Sequence, residues 1–176
     1  MLAPEMNKKL TETDTGTPGG TLMRRYWQPV ALSDELSGNR PVVPVRIFGE
    51  DLVLFRDGEG TLGLIDRHCP HRQADLCYGR LEANGLRCPF HGWLFDAEGT
   101  CLDQPGELPE NNRVRHFGQA AYPCVERNGM IFGYLGPSDP PPLPAIESLV
   151  APDSHVFAFK GFLECNYLQA VEVGID

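Results

Sequence analysis

The chain has 176 residues, 41% of them hydrophobic and 22% charged, which is typical of a soluble globular protein with its own core. Its 15 Lys and Arg against 24 Asp and Glu give a net charge of −9, and this acidic balance argues against nucleic-acid binding. We find no secretory signal and no apolar run near the roughly 20 residues that would cross a membrane. We therefore expect a cytoplasmic protein without disulfides.

The N-terminal segment is predicted to be helical. Residues 5–27 favour helix in pieces, with an interruption between Gly16 and Gly20 and a second piece that begins at Thr21. Residues 1–40 are accordingly predicted to form an N-terminal helical extension.

Short β-type runs follow this extension. Residues 41–48, 51–55 and 61–66 are apolar runs separated by turn-like stretches. Two hairpins are predicted further on, one around residues 97–99 and one around 127–129, where Asn-Gly is a strong signal for a two-residue turn. Many short strands at this spacing predict a small antiparallel β domain over residues 41–136.

The last part of the chain changes character. The proline-rich stretch PSDPPPLP cannot form a helix or a central strand, which indicates a semi-rigid linker, or a strap across the surface, over residues 137–152. Beyond it, residues 155–164 predict a strand and residues 166–176 a helix for which Asn166 is a candidate N-cap. Residues 153–176 are therefore predicted to begin a further unit.

Two matched pairs of Cys and His lie in the middle of the chain. Cys69 and His71 form a Cys-x-His pair, and Cys88 and His91 form a Cys-x-x-His pair after sixteen intervening residues. Unligated side chains would fit this matched pattern poorly. Structural zinc sites usually place their two Cys in one arm and their two His in the other. A [2Fe–2S] cluster in which two His replace two Cys on one iron needs the mixture found here.

Two facing loops of this kind can place both thiolates on an inner iron and both imidazoles on an outer one. Pro70 and Pro89 would stiffen the loops, and Gly92 would let the backbone pass close to the cluster. Trp93 and Phe95 are predicted to be core aromatics that shield it. The other histidines, His68, His116 and His155, are predicted not to be ligands. Arg72 is predicted to be either a neighbour of the cluster or a surface residue. The other four cysteines are predicted to be reduced thiols in or near the core: Cys77, Cys101, Cys124 and Cys165.

The segments Cys69-Pro70-His71-Arg72 and Cys88-Pro89-Phe90-His91-Gly92-Trp93 resemble the two ligand loops of a Rieske iron–sulfur domain. High-potential Rieske proteins carry an additional, disulfide-bonded Cys in each loop. The matching positions here are Ala74 and Phe90, so the resemblance implies the low-potential branch of ferredoxins and oxygenases.

The resemblance extends beyond the loops. Residues 16–36, with residues 48–57 after them, resemble the N-terminal part of the phthalate dioxygenase-like oxygenases, which are Rieske non-haem iron ring hydroxylases and O-demethylases. Residues 164–176 resemble the beginning of their catalytic domain. This implies a mainly β fold: an antiparallel Rieske domain with N-terminal helices, then the start of an α+β catalytic domain.

In that family an Asp-x-x-His-x-x-x-x-His motif begins at the position of Asp176. Its two His bind a mononuclear Fe(II) together with a later carboxylate. The resemblance implies that Asp176 bridges a cluster His of one subunit to an iron ligand of the next. Both of those His lie outside the 176 residues, so the chain alone is not expected to hydroxylate a substrate.

The function implied is therefore the electron-transfer portion of an oxygenase large subunit. It would take electrons from a flavin/iron–sulfur reductase or a ferredoxin and relay them through His71 or His91 to the mononuclear iron. The resemblance also implies an aromatic, carboxylated substrate and a homotrimer, and we expect no nucleic-acid or membrane partner. The alternative is a complete electron carrier without catalysis, against which the last 35 residues argue. The small subunit of a reductase is a third possibility that the N-terminal extension disfavours.

Overall fold

A computed structural model describes residues 3–39, 41–108, 110 and 114–175. The strands among the described residues are β1 (Gln28–Leu32), β2 (Val42–Ile47), β3 (Glu50–Arg56), β4 (Leu62–Asp66), β5 (Arg80–Glu82), β6 (Gly85–Arg87), β7 (Leu94–Phe95), β8 (Cys101–Asp103), β9 (Ala121–Tyr122), β10 (Cys124–Arg127) and β11 (Met130–Gly133). They form three antiparallel sheets, with strand orders β1-β11-β10, β2-β3-β4-β9 and β5-β6-β7-β8. The mainly β, antiparallel fold class is confirmed.

Helices flank the sheets at both ends of the chain. They are α1 (Pro4–Thr11), α2 (Pro18–Met23), α3 (Glu147–Val150) and α4 (Tyr167–Ile175), with single 3₁₀ turns at Ser33–Leu36, Leu76–Tyr78, Val114–His116 and Asp153–His155. Among the residues that the structure describes, no helix has the length and hydropathy that crossing a lipid bilayer requires.

The N-terminal segment is helical in two pieces, as predicted, but the second piece begins at Pro18 and not at Thr21. The Thr17 hydroxyl accepts a hydrogen bond from the Gly20 amide at 3.0 Å, and Pro18 occupies the first helical position, where its missing N–H costs nothing. Strand β1 was not predicted within this segment. It pairs with β11, and its register shifts between Pro29 and Ala31.

The predicted strands of residues 41–66 and both predicted hairpins are confirmed. In the β10–β11 turn, Asn128 and Gly129 both have positive φ, 50° and 77°, the conformation for which an Asn-Gly pair is suited. The middle of strand β3, residues 52–55, is apolar and buried because both of its faces are covered there. Leu52 and Leu54 pack into one hydrophobic cluster, and Val53 and Phe55 pack into the other, which lies beneath the Cys/His loops.

The strand predicted at residues 155–164 is wrong. A 3₁₀ turn ends at His155, and the segment that follows is not paired with any strand in the described part of the chain. A strand forms only when a neighbour satisfies its backbone groups. The helix predicted after it is confirmed as α4, and the Asn166 side chain accepts hydrogen bonds from the amides of Leu168 and Gln169, at 3.1 and 3.3 Å.

The proline-rich linker lies against the β domain. The Trp27 indole donates a hydrogen bond to the Pro141 carbonyl at 2.7 Å. The Asn128 amide donates to the carbonyls of Ser148 and Ala151, at 2.8 and 3.2 Å. These contacts make the segment a strap on the surface.

Candidate metal centre

The structure brings the four predicted ligands together. One pair lies in the loop that follows β4, and the other lies in the loop between β6 and β7. The Cys69 and Cys88 thiols contact each other and are almost fully buried, with 1% and 4% of each residue exposed. The rings of His71 and His91 lie with centroids 4.6 Å apart, and His91 is exposed. The thiols therefore lie inside, the His91 imidazole lies towards solvent, and His71 between them is half-buried.

The two loops have the same backbone geometry. In the first loop, the Cys69 amide donates to the Ala74 carbonyl at 2.9 Å, and the Gln73 amide donates back to the Cys69 carbonyl at 2.8 Å. The second loop repeats this pattern. The Cys88 amide donates to the Trp93 carbonyl at 2.8 Å, and the Gly92 amide donates back to the Cys88 carbonyl at 3.2 Å.

The fourth residue after each Cys has positive φ. It is 56° at Gln73 and 74° at Gly92. Glycine adopts this conformation without strain, whereas glutamine is strained there, so the loop hydrogen bonds must hold Gln73 in place.

Burial and hydrogen bonding act in opposite directions on the Cys69 thiol. Burial is the largest effect and raises the pKa of Cys69 to about 11, while the backbone amides of His71 and Arg72 bond to its sulfur and favour the thiolate. A thiol must lose its proton to bind iron. Amides already directed at the sulfur suit a thiolate bound to metal.

His71 carries an unsatisfied polar atom. Its Nδ1 is buried and has no hydrogen-bond partner among the described residues. The ring stacks on Trp93, with centroids 4.8 Å apart and planes inclined by 8°. A buried polar atom without a partner costs about 1–3 kcal/mol. Coordination to a metal would satisfy this nitrogen, so the residues present fit the group that the sequence predicts.

The donor set has the composition that a two-iron cluster with mixed thiolate and imidazole ligands requires. Within the described ranges, no three His, Cys, Asp or Glu side chains converge as ligands of one metal ion. A structural zinc takes four protein ligands, whereas a Rieske cluster takes two thiolates on one iron and two imidazoles on the other. Two adjacent thiols beside two adjacent imidazoles meet the second requirement.

The other histidines lie elsewhere. His116 and His155 are exposed, and the Nδ1 atom of His155 lies 3.0 Å from the Ser154 hydroxyl. His68 is half-buried, and its backbone amide donates to Asp66 at 2.7 Å. Arg72 is exposed. Asp176, the predicted bridge between subunits, lies outside the described residues.

Three of the other four cysteines match their prediction. Cys101 is buried, and Cys77 and Cys124 are half-buried; burial raises the pKa of Cys124 to about 12. Cys165 was also predicted in or near the core, and this is wrong. It is exposed, because it lies at the end of the unpaired segment before α4. Trp93 and Phe95 are buried in the cluster beneath the loops, as predicted.

Sequence reasoning missed the ion pair that closes the first loop. The Arg67 Nε and Nη2 atoms donate to the two carboxylate oxygens of Asp75, at 3.0 and 2.5 Å. Asp75 also accepts the Cys77 amide at 2.9 Å. The Arg67 guanidinium is the main reason that the pKa of Asp75 is lowered to about 2.

A second ion pair stands beside the other loop. Arg87 precedes Cys88 directly and binds both carboxylate oxygens of Glu82, at 2.5 and 2.8 Å. Hydrogen bonds from Arg87 first, and from Arg80 second, lower the pKa of Glu82 to about 2. The only sequence signal for either ion pair is an arginine one or two residues before each Cys.

Two matched loops of an antiparallel β domain, which bring two buried thiols next to two imidazoles, are the arrangement of an iron–sulfur protein. A model of the Rieske [2Fe-2S] domain matches residues 26–122, which include both loops. The chain belongs to this family.

Its relatives are oxygenase subunits of the kind that the resemblance implied. The chain is 43% identical to the 5,5'-dehydrodivanillate O-demethylase oxygenase subunit of Sphingobium sp., covering 100% of this chain and 42% of the relative. It is 44% identical to the tert-butanol monooxygenase/tert-amyl alcohol desaturase oxygenase subunit of Aquincola tertiaricarbonis, covering 97% and 36%. It is 40% identical to the phthalate 4,5-dioxygenase oxygenase subunit of Pseudomonas putida, covering 100% and 40%.

The fold agrees with these relatives. The reduced complex between oxygenase and ferredoxin in carbazole 1,9a-dioxygenase contains a chain that superposes with a TM-score of 0.59 at 29% identity, covering 68% of this chain and 31% of that one. In the sequence comparisons, the chain spans about 40% of the length of the curated relatives it matches.

Proposed function

We propose that the chain is the electron-transfer portion of a Rieske oxygenase large subunit, with Cys69 and Cys88 on one iron of a [2Fe–2S] cluster and His71 and His91 on the other. The proposal rests on the way the structure brings the four side chains of the two loops together. Two buried thiols in contact lie beside two imidazoles in contact, and one of the imidazoles has a buried nitrogen without a partner.

The cluster would supply the one-electron chemistry, and the chain supplies its surroundings. Neutral imidazoles in place of two thiolates reduce the negative charge on the cluster and raise its potential. The buried Trp93 covers the inner face of His71 and excludes water there. The exposed His91 offers the ligand edge nearest to a partner.

The complete protein would carry the remaining parts of the oxygenase. We propose a mononuclear Fe(II) site formed beyond these residues, Asp176 as the carboxylate that links it to the cluster of a neighbouring subunit, and a homotrimer. The domain limits proposed are 1–40, 41–136, 137–152 and 153–176. A cytoplasmic location is part of the same proposal.

The proposed electron donor is a ferredoxin or a flavin/iron–sulfur reductase. The similarity to a chain from an oxygenase–ferredoxin complex supports the first of these. The proposed substrate is aromatic and carboxylated. The relatives named for dehydrodivanillate and phthalate support this class, whereas the relative named for tert-butanol does not.

A complete, stand-alone electron carrier is the weaker candidate. Phe157, Phe159 and Phe162 are 86%, 77% and 86% exposed. So much aromatic surface in one segment is typical of a face that another part of a protein covers. The greater length of the relatives supports the same conclusion.

Iron and sulfide analysis of the purified protein tests the proposed cluster. We expect about two iron and two acid-labile sulfide per chain. Cys88→Ser should abolish both, while Cys165→Ser, at an exposed cysteine outside the loops, should leave both unchanged. Bound zinc without labile sulfide would overturn the proposal.

A further inference from the structure

Arg87 joins three parts of the molecule beside the second Cys/His loop. The Arg87 Nε and Nη2 atoms bind Glu82 on β5. Its Nη1 atom donates hydrogen bonds to Asp103 on β8 at 2.8 Å and to the Gly92 carbonyl at 2.5 Å. The Arg87 side chain is 17% exposed, so these bonds are largely shielded from water. One guanidinium thus ties the loop to strands on either side of it.

The bond to Gly92 controls the path of the loop between two residues of the site. Gly92 donates its amide to the Cys88 carbonyl and gives its own carbonyl to Arg87. The peptide groups on both sides of Gly92 are therefore held. His91 precedes this glycine, and Trp93, which stacks on His71, follows it.

The first loop has a counterpart. Arg67 stands before Cys69, and its guanidinium binds Asp75 near the opposite end of the same loop. Its backbone carbonyl also accepts the Leu76 amide at 2.8 Å, which closes the loop a second time. In both loops an arginine on the N-terminal side binds the C-terminal side.

We propose that Arg87 is a positioning residue that holds the Gly92 carbonyl and so keeps the His91 imidazole in the orientation that binds iron. The inference rests on the proposed function, in which His91 is a ligand. A planar guanidinium can bind a carboxylate with two donors while a further donor reaches a carbonyl. A lysine ammonium keeps the charge but cannot reproduce this fork.

Arg80 provides a matched control on the same carboxylate. It donates to Glu82 at 2.7 Å, as Arg87 does, but its side chain is 75% exposed and it lies on β5, outside the loop. Arg80→Gln therefore removes an arginine partner of Glu82 and leaves the Arg87–Gly92 bond in place.

The experiment compares wild-type protein with Arg87→Lys, Arg87→Gln and Arg80→Gln, each purified with its cluster. Iron and sulfide content, the electron paramagnetic resonance g-values of the reduced protein, and the half-time of iron loss to a chelator are measured. Circular dichroism melting checks folding. We expect both Arg87 variants to show altered g-values and iron loss roughly 10-fold faster, because outer partners of metal ligands have effects of this size. Arg80→Gln should resemble wild type.

Arg87→Lys separates geometry from charge and carries the test if Arg87→Gln does not fold. Wild-type g-values and iron-loss rate in Arg87→Lys, in a protein that holds its cluster, would overturn this inference alone. Wild-type protein without iron and sulfide would instead overturn the proposed function, and this inference with it.

Discussion

At the scale of single residues, the four proposed ligands differ in exposure in a way that matches their chemistry. Cys69 and Cys88 are buried where thiolate sulfur is shielded from water and oxidants. His91 is exposed, where a neutral ring costs little to solvate and can reach a partner. Exchanging one ring for a thiolate should therefore change the electronic properties of the site more than its fold.

We predict that His91→Cys keeps a [2Fe–2S] cluster and lowers its reduction potential by on the order of 100 mV, because a charged ligand replaces a neutral one. Direct electrochemistry measures the shift. His116→Cys, which adds a thiol at an exposed histidine elsewhere, serves as the control and should leave the potential unchanged. An unchanged potential in His91→Cys would mean that His91 is not a ligand.

The Arg67–Asp75 pair predicts a dependence of stability on pH. The pKa of Asp75 is lowered to about 2 in the folded protein, so the pair stabilises the fold fully above the ordinary pKa near 3.8. This stabilisation is lost as the pH falls from about 4 to 2. Asp75→Asn should lower the free energy of unfolding by about 1 kcal/mol at pH 7, allowing for solvent screening of a partly exposed pair.

Denaturant midpoints of wild type and Asp75→Asn between pH 7 and pH 2.5 check this prediction. The difference between the two proteins should shrink below pH 4. Asp51→Asn, which breaks the more exposed pair with Arg46, should have a smaller effect at every pH. A difference that stays constant down to pH 2.5 would contradict the account.

The sequence was sufficient to predict the four Cys and His side chains that the structure brings together. Within each loop the Cys and His lie within four residues, and the matched composition of the two loops indicated that they share one site. The sequence was not sufficient to predict the arginine braces. Arg87 binds Asp103, 16 residues away, and the pairing depends on how β5, β6 and β8 align. An arginine at the end of a strand has many possible ion-pair partners in the sequence, and only the fold determines which one it meets.

At the scale of secondary-structure elements, the prediction that rested on a local turn sequence was correct, and those that depended on a distant partner strand were not. The β10–β11 hairpin was predicted from Asn128-Gly129 because the turn itself specifies the pairing. The β1 strand was missed because Pro29 weakens a strand pattern and its partner β11 lies about 100 residues later. The wrong strand at 155–164 has strand-like residues, but no partner for it lies among the residues described.

The second ligand loop gives a prediction about backbone geometry. Gly92 has φ +74°, and a Cβ atom there would lie 3.0 Å from the Pro105 ring. Gly60 also has positive φ, +89°, but a Cβ atom there would meet nothing within 4 Å. We expect Gly60→Ala to cost about 1 kcal/mol from backbone strain alone.

Gly92→Ala should cost more than Gly60→Ala, because a proline ring cannot move aside easily, and it should also speed iron loss. Chemical unfolding and the chelator assay measure the two effects. Equal stability and equal iron-loss rates in the two variants would show that the close approach of Gly92 to Pro105 has no role in the site.

At the scale of the whole molecule, the described part consists of a well-packed β domain and a C-terminal segment with little cover. Two hydrophobic clusters enclose β3, and the one that contains Val53 and Phe55 also supports the Cys/His loops from below. The strap and α4 lie on the outside, and the segment between them exposes its aromatic side chains. This distribution fits a portion of a longer oxygenase subunit whose remaining residues cover that face.

The proposed [2Fe–2S] cluster, held by two Cys and two His of this chain, would give the reduced protein a distinctive magnetic signature. The most direct measurement is electron paramagnetic resonance of the dithionite-reduced protein at low temperature, with spin quantitation against iron content. We predict a rhombic Rieske-type signal of about one spin per two iron atoms. A signal typical of an all-cysteine cluster, or no signal from a protein that contains metal, would contradict it.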